Sequence, residues 1–280
     1  MKERGKDEVR TLVRRYYGSI ADRSNMRCGC QPSSYCSDEP QPPRLVQEAE
    51  ELDYIRGDTR EISDHSNSGF GCGNPTIIAG LKPGEKVLDL GSGAGFDCLL
   101  AAERVGEHGY VIGIDMTPEM IEQARKNAAK GSYANVEFRL GEIEHLPVKS
   151  NSVDVIISNC VINLSPEKAA VFKEAFRVLK PGGRIAISDI VATAELPQEM
   201  RENEAFICGC IGGAATFGEL EQYLIGAGFQ NVRITPDEKS RESIRTWAPG
   251  VNVEQYLVSA YIEATKPALA ERTGIAVRQA

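Results

Sequence analysis

Eight cysteines are spread along the 280-residue chain: Cys28, Cys30, Cys36, Cys72, Cys98, Cys160, Cys208 and Cys210. A thiol can act as a nucleophile, form a reversible disulfide, ligate a soft metal or metalloid, or pack as a small apolar side chain. No pair has C-x-x-C spacing, and the distant thiols lack the spacing of a zinc finger. Cys210 lies in Gly209-Cys210-Ile211-Gly212-Gly213-Ala214, a thiol among glycines, with Cys208 two residues earlier. A buried valine or alanine would pack there as well and would not oxidise, so packing alone is a poor reason for it. Histidine is scarce by contrast, with His65, His108 and His145 its only occurrences.

The remaining composition narrows what those thiols meet. A net charge of −8 argues against nucleic acid and anionic membrane, which require basic patches, and favours a small-molecule substrate. The first ten residues, "MKERGKDEVR", are charged, and no later run has the length of a membrane-spanning helix. A cytoplasmic protein is therefore expected. In a reducing compartment the cysteines are not expected to form a permanent disulfide framework.

The elements that must position the thiols follow from periodicity. Residues 7–20 place Val9, Leu12, Val13, Tyr16 and Tyr17 near one helical face, with Gly18 as the expected stop. Residues 22–43, rich in Cys, Ser, Pro and Asp, read as a loop or lid. From Asn74, short apolar runs alternate with amphipathic stretches, the pattern of β-α-β units around a parallel sheet. The strands are read at 86–90, 110–115, 136–140, 153–159 and 184–190, with 231–235 and 258–265 as an antiparallel edge. Thr117-Pro118 marks a helix start by N-cap and first-turn proline, and Ser165-Pro166-Glu167 is read as a repeat of the device. The tail from about Lys266 is read as frayed. The divisions are 1–70 for the helix and Cys-rich lid, 71–192 for the α/β core, 193–265 for a smaller C-terminal substrate-binding region completing the site and sheet edge, and 266–280 for the tail.

The first strand runs into "GSGAG", so Gly91, Gly93 and Gly95 form a turn whose backbone N–H groups can approach a ligand closely. A dinucleotide fingerprint wants a small residue next, where this chain has Phe96, so the spacing leans away from NAD. Asp115 closes the second strand 20 residues after Gly95, suited to accept ribose hydroxyls, and "GEIEHLP" at 141–147 follows the third strand. Residues 75–190 resemble class I S-adenosylmethionine-dependent methyltransferases, with a Rossmann-like, mostly parallel sheet that ends in an antiparallel hairpin. That resemblance implies S-adenosylmethionine over Asp89, Gly91, Ser92, Gly93, Gly95, Asp115, Met116, the segment at Glu142, and Asn159.

No histidine follows the fourth strand, where an acceptor-side group is expected; Cys160 stands there, in "SNCVINLS". Cys72, in "GFGCGNP", and Cys210 lie in segments able to fold over the carboxyl ends of the parallel strands, where ligands bind. Three converging thiolates suit a soft, thiophilic centre. "GFGCGNP", "LDLGSGAGFDC", "SNCVINL" and "GCIGGA" together resemble the arsenite methyltransferases over residues 68–262. The resemblance implies stepwise methylation of arsenite or its thiol conjugate by S-adenosylmethionine, with Cys72, Cys160 and Cys210 binding trivalent arsenic and thioredoxin or glutathione as reductant. Thiolate is the binding form, so a helix N-terminus or the metalloid is expected to lower the thiol pKa. The family also implies a further N-terminal cysteine that pairs with the one at the Cys72 place. Cys36 is preferred, with Cys30 next, while Cys28 and Cys30 alternatively exchange thiols with the metalloid. Cys98 reads as buried and inert; Cys208 is open between burial and a supporting role. The rivals are a quinone-like small-molecule C-methyltransferase and a noncatalytic metalloid binder.

Overall fold

The computed structural model describes residues 4–25 and 72–268. Helix α1 (Lys6–Asn25) stands before the core. There follow α2 (Pro75–Ile78), β1 (Lys86–Leu90), α3 (Phe96–Val105), β2 (Tyr110–Asp115), α4 (Pro118–Lys130), β3 (Val136–Leu140) and β4 (Val153–Asn159). A 3-10 turn at Ile162–Leu164 leads to α5 (Lys168–Val178) and β5 (Leu179–Ala192). The last third holds α6 (Gln198–Glu202), α7 (Glu204–Cys208), α8 (Phe217–Ala227), β6 (Gln230–Asp237), α9 (Ser240–Ile244) and β7 (Leu257–Thr265).

The strands form one sheet in the order β3-β2-β1-β4-β5-β7-β6. β1 to β5 run parallel, and β7 pairs antiparallel with both β5 and β6. Both faces are covered, so the central strands are apolar on both sides. On one face Leu88, Leu90, Ile112, Ile156 and Ile187 pack under α5 and α8. On the other Val87, Val111, Val155, Ile157 and Ala186 pack under α3 and α4. A third cluster, built on Ile190, Leu196, Ile211, Trp247 and Leu257, holds the C-terminal segments over Cys72. The order in which strands are added across the sheet reverses between β1 and β4, so the connections after these parallel strands diverge and open a crevice at their carboxyl ends. Among the described residues no helix is long and apolar enough to cross a membrane.

Four local expectations are corrected. Helix α1 does not stop at Gly18 but runs to Asn25; a Cβ on Gly18 would come within 3.2 Å of the Glu119 carboxylate, so this glycine serves the close approach of α1 to α4. Ser165 does not cap α5, which starts at Lys168 with Glu167 as its N-cap; the Ser165 hydroxyl instead donates to Glu144 and accepts from the Glu167 N–H. β5 begins five residues before Arg184, and Pro181-Gly182-Gly183 forms a bulge that shifts its register against Val153–Val155. Lys266 is anchored rather than frayed, its Nζ donating to the Phe176 and Leu179 carbonyls and to Asn151 Oδ1.

Candidate active site

The glycine turn after β1 opens into a cleft lined by Asp89, Gly91, Ser92, Gly93, Asp115, Met116 and Asn159, among others. Gly91, Gly93 and Gly95 all have positive φ. At Gly91 a Cβ would also sit 2.3 Å from Val161, whereas at Gly93 it would meet no atom within 4 Å. Glycine is thus required at the first for packing and leaves room at the second for a ligand. Asp115 accepts from the Gly93 N–H (3.0 Å) and the Thr117 N–H (2.8 Å). Burial raises its pKa against those hydrogen bonds. Asp89 is raised well above the usual range by burial and then by the charge of Asp97, while the Cys98 thiol donating to it at 3.2 Å opposes the rise. The Ser92 Oγ is buried with no hydrogen-bond partner among the described residues. With Phe96, Met116, Met120 and Ile143 also in the lining, the mixture of apolar faces and a few polar groups fits a nucleoside carrying a thioether-like sulfonium.

Sequence reasoning missed the roof of this cleft. Arg10, Val13 and Tyr17 of α1 line it. The Arg10 guanidinium reaches Glu144 (3.3 Å) and Glu167, with Glu142 at 3.7 Å, and Arg14 donates to Glu142 at 2.9 Å. The carboxylate of Glu142 therefore faces the arginines of α1, while Gly141, Ile143 and Glu144 line the cleft beside it. The available signal was Lys6, Arg10 and Arg14 at four-residue spacing, a basic stripe opposite the acids of "GEIEH".

Cys160, the residue after β4, also lines the cleft. Its sulfur is joined to that of Cys72 in a disulfide, with the Cα atoms 5.8 Å apart. Cys210 donates its thiol to the Cys160 carbonyl at 2.8 Å. One ligand atom each from Cys72, Cys160 and Asp189 lie within 4.8 Å of one another. The structure thus brings the three sequence-selected segments to one place. Among the described non-glycine residues with positive φ, Ser132, Asn151 and Asn231 are turn types, but the other two are Cys160 (52°) and Cys210 (60°). A left-handed cysteine is sterically strained, and such strain gathers at functional sites.

The electrostatics of the third thiol are set by its burial. Burial, then the charge of Asp189, pushes the Cys210 thiol well above its ordinary pKa, and Lys168 only partly opposes this. Buried Asp189 is itself raised to about 7 by burial, although it accepts from the Ile190, Ile162 and Asn163 N–H groups. Among the described residues the groups that favour the Cys210 thiolate are Lys168 and the Tyr17 hydroxyl, not a helix N-terminus. The remaining thiols separate cleanly. Cys98 is fully buried under the Asp89 carboxylate. Cys208 packs with Val13 and Ile207 against α1, its thiol raised to about 11 by burial, and its carbonyl accepts from the Tyr17 hydroxyl. His108 and His145 are exposed. Cys28, Cys30, Cys36 and His65 lie outside the described residues, so the pairing of an N-terminal cysteine with Cys72 does too; within the described residues Cys72 pairs with Cys160.

Comparison with known proteins accounts for the combination. The family model described as "Methyltransferase domain" matches residues 81–236. An arsenite methyltransferase of Halobacterium salinarum is 49% identical over 95% of this chain and 68% of its own length. One from Aquipseudomonas alcaligenes is 43% identical over 60% of this chain and 50% of its own. This chain thus spans half to two thirds of the length of these relatives. The crystal structure of an arsenic (III) S-adenosylmethionine methyltransferase from Chlamydomonas reinhardtii superposes with a TM-score of 0.60 at 32% identity, covering 82% of this chain and 76% of that one. Kinship at this level extends past the nucleotide fold to the cysteine-bearing segments, and the chain belongs to the arsenite methyltransferase family of class I S-adenosylmethionine-dependent methyltransferases.

Proposed function

We propose that this chain methylates trivalent arsenic, taken as arsenite or a thiol conjugate, on a centre made by Cys72, Cys160 and Cys210. The observation that carries the reading is the double position of Cys160, which lines the cofactor cleft and touches both other cysteine segments. Three thiols condense with arsenous acid to give a tris-thiolate and three waters, a step that is neutral overall and so tolerates the raised pKa of Cys210. The arsenic lone pair then faces away from the three sulfurs and is itself the nucleophile. No general base is required, in keeping with the exposure of His108 and His145. Bound in the cleft, S-adenosylmethionine supplies an electrophilic methyl group. Asp115, the glycine turn and Ser92 hold the nucleoside; Glu144 and the α1 roof exclude water.

The Cys72–Cys160 disulfide keeps two of the sulfurs from the metalloid. Two equivalents of a monothiol such as glutathione, or one dithiol such as thioredoxin, open it, the reductant leaving as its own disulfide. A reducing cytoplasm is the matching compartment. The test is conversion of S-adenosylmethionine to S-adenosylhomocysteine by reduced protein with and without arsenite. Arsenite-dependent turnover is expected, with methylated arsenic as product, and Cys160→Ser or Cys210→Ser leaves arsenic on at most two sulfurs, with weakened binding and no turnover. Tight binding without product would convert the reading to a metalloid binder; turnover on a quinone alone would make it a C-methyltransferase.

A further inference from the structure

Cys160 is bracketed in sequence by two asparagines, Asn159 and Asn163, and each reaches one of the other two thiol segments. Asn159 ends β4. Its Oδ1 accepts from the Cys72 N–H at 2.9 Å, and its Nδ2 donates to the Gly73 carbonyl at 2.8 Å. The same Nδ2 lies 3.3 Å from the Asp97 carboxylate. One side-chain amide therefore pairs with the backbone of the Cys72–Gly73 dipeptide as a neighbouring strand would. That dipeptide has little freedom on its other side, since a Cβ on Gly73 would come within 2.5 Å of the Ser188 hydroxyl.

Asn163 does the corresponding work for the Cys210 segment. It is buried, and its Nδ2 donates to Asp189 Oδ1 (2.9 Å) and to the Ile190 carbonyl (2.6 Å). With the amide nitrogen so occupied, Oδ1 faces the Ala215 N–H at 3.4 Å. The Asn163 backbone carbonyl lies against Gly213, where a Cβ would sit only 2.1 Å away. Gly213 and Ala215 of the loop that follows Cys210 are thus both referred to one residue. An amide is the group these places need, because it presents a donor and an acceptor on one planar head. A carboxylate at either position would face another acceptor, Asp97 in one case and Asp189 in the other.

We propose that Asn159 and Asn163 are positioning residues of the arsenic centre, Asn159 setting the place of Cys72 and Asn163 that of Cys210 relative to Cys160. The inference rests on the proposed function and divides the triad into two independently held arms. Arsenite is bound to reduced protein without S-adenosylmethionine, and the number of sulfurs on arsenic is read by X-ray absorption, beside the dissociation constant. In Asn159→Ala the count drops from three to two and the constant rises about tenfold or more, as expected for two lost hydrogen bonds. Adding Cys72→Ser to that variant changes nothing further, whereas adding Cys210→Ser does. Asn163→Ala gives the crossed pattern: insensitive to Cys210→Ser and sensitive to Cys72→Ser. A general loss of structure would weaken all pairs alike and shift thermal unfolding without crossing. Should an alanine variant fail to fold, Asn159→Ser and Asn163→Ser, too short to reach the same partners, are read identically. Three sulfurs retained in both variants, or an uncrossed pattern, overturns the inference while leaving the proposed function standing. A wild-type protein that binds no arsenite overturns the proposed function itself.

Discussion

Replacing Gly213 by alanine tests the geometry of the candidate centre at one atom. The added Cβ would lie 2.1 Å from the Asn163 carbonyl oxygen, and ordinary contact begins at 3.4 Å, so the Cys210 loop and the turn after Cys160 must part by at least about 1.3 Å. The obstacle is backbone on backbone, and no rotamer change relieves it. Overpacking of this kind costs about 1–3 kcal/mol of stability, a fall of several degrees in Tm for a domain of this size. Displacement by about 1 Å near a reacting centre lowers turnover on the order of 10²-fold. Neither the glycine turn nor Asp115 is among the nearest atoms the added Cβ would meet, so the dissociation constant for S-adenosylhomocysteine should hold within about twofold. Thermal unfolding, arsenite-dependent turnover and calorimetric titration with S-adenosylhomocysteine read the three quantities on one preparation, beside arsenite affinity. Gly218→Ala, where a Cβ meets no atom within 4 Å, is the matched control. A Gly213→Ala protein with wild-type arsenite affinity and Tm would refute the claim that this contact sets the distance between the two thiol segments.

Three other outcomes are expected. Cys98→Ser keeps a donor toward Asp89, so arsenite affinity stays within about twofold while stability falls by about 1 kcal/mol, measured by denaturant unfolding. Arg10→Ala leaves buried Glu144 beside Glu142 and Glu167 without its cation; S-adenosylhomocysteine affinity should fall about tenfold and amide exchange in α1 should rise, and unchanged exchange would remove α1 as a latched roof. Asp189 is raised in the folded chain to about 7 from an unfolded value of about 3.9. Folding therefore favours its protonated form, and its contribution is fully present below pH ~4 and lost as pH rises to about 7. Asp189→Asn should flatten that part of the stability curve, and an unchanged slope would assign it to another group.

The sheet was legible because its strands are local: "KVLDL", "YVIGID", "VEFRL" and "VDVIISN" each form the strand their alternation or apolar run indicates. The ends of elements were less so. Gly18 looks like a helix stop, yet close packing against Glu119 selects glycine just as strongly as a turn does. Ser165 looks like a cap, and tertiary contact with Glu144 takes its hydroxyl instead. At the site, the types and strand-end positions of Cys72, Cys160 and Cys210 were readable, whereas their contacts across many residues of sequence were not. The α1 roof escaped for the same reason, since a basic stripe on a helix reads as a solvated face until its acidic partners are placed opposite. The raised pKa of Cys210 depends on burial beside Asp189, a property of the packed molecule alone.

Cys72 and Cys160 are 88 residues apart in the chain, and Cys160 and Cys210 a further 50. An unfolded chain offers the same thiols, but bringing those three together requires closing two long loops, an entropic penalty that the folded protein has already met. A ligand held by all three is thus a three-way staple across the fold, comparable in reach to a long-loop disulfide and removable by competing thiols. Substrate and tertiary structure are then linked: arsenite raises the unfolding temperature in proportion to how much of the triad grips it. Thermal protection by arsenite becomes a direct measure of how many arms are engaged.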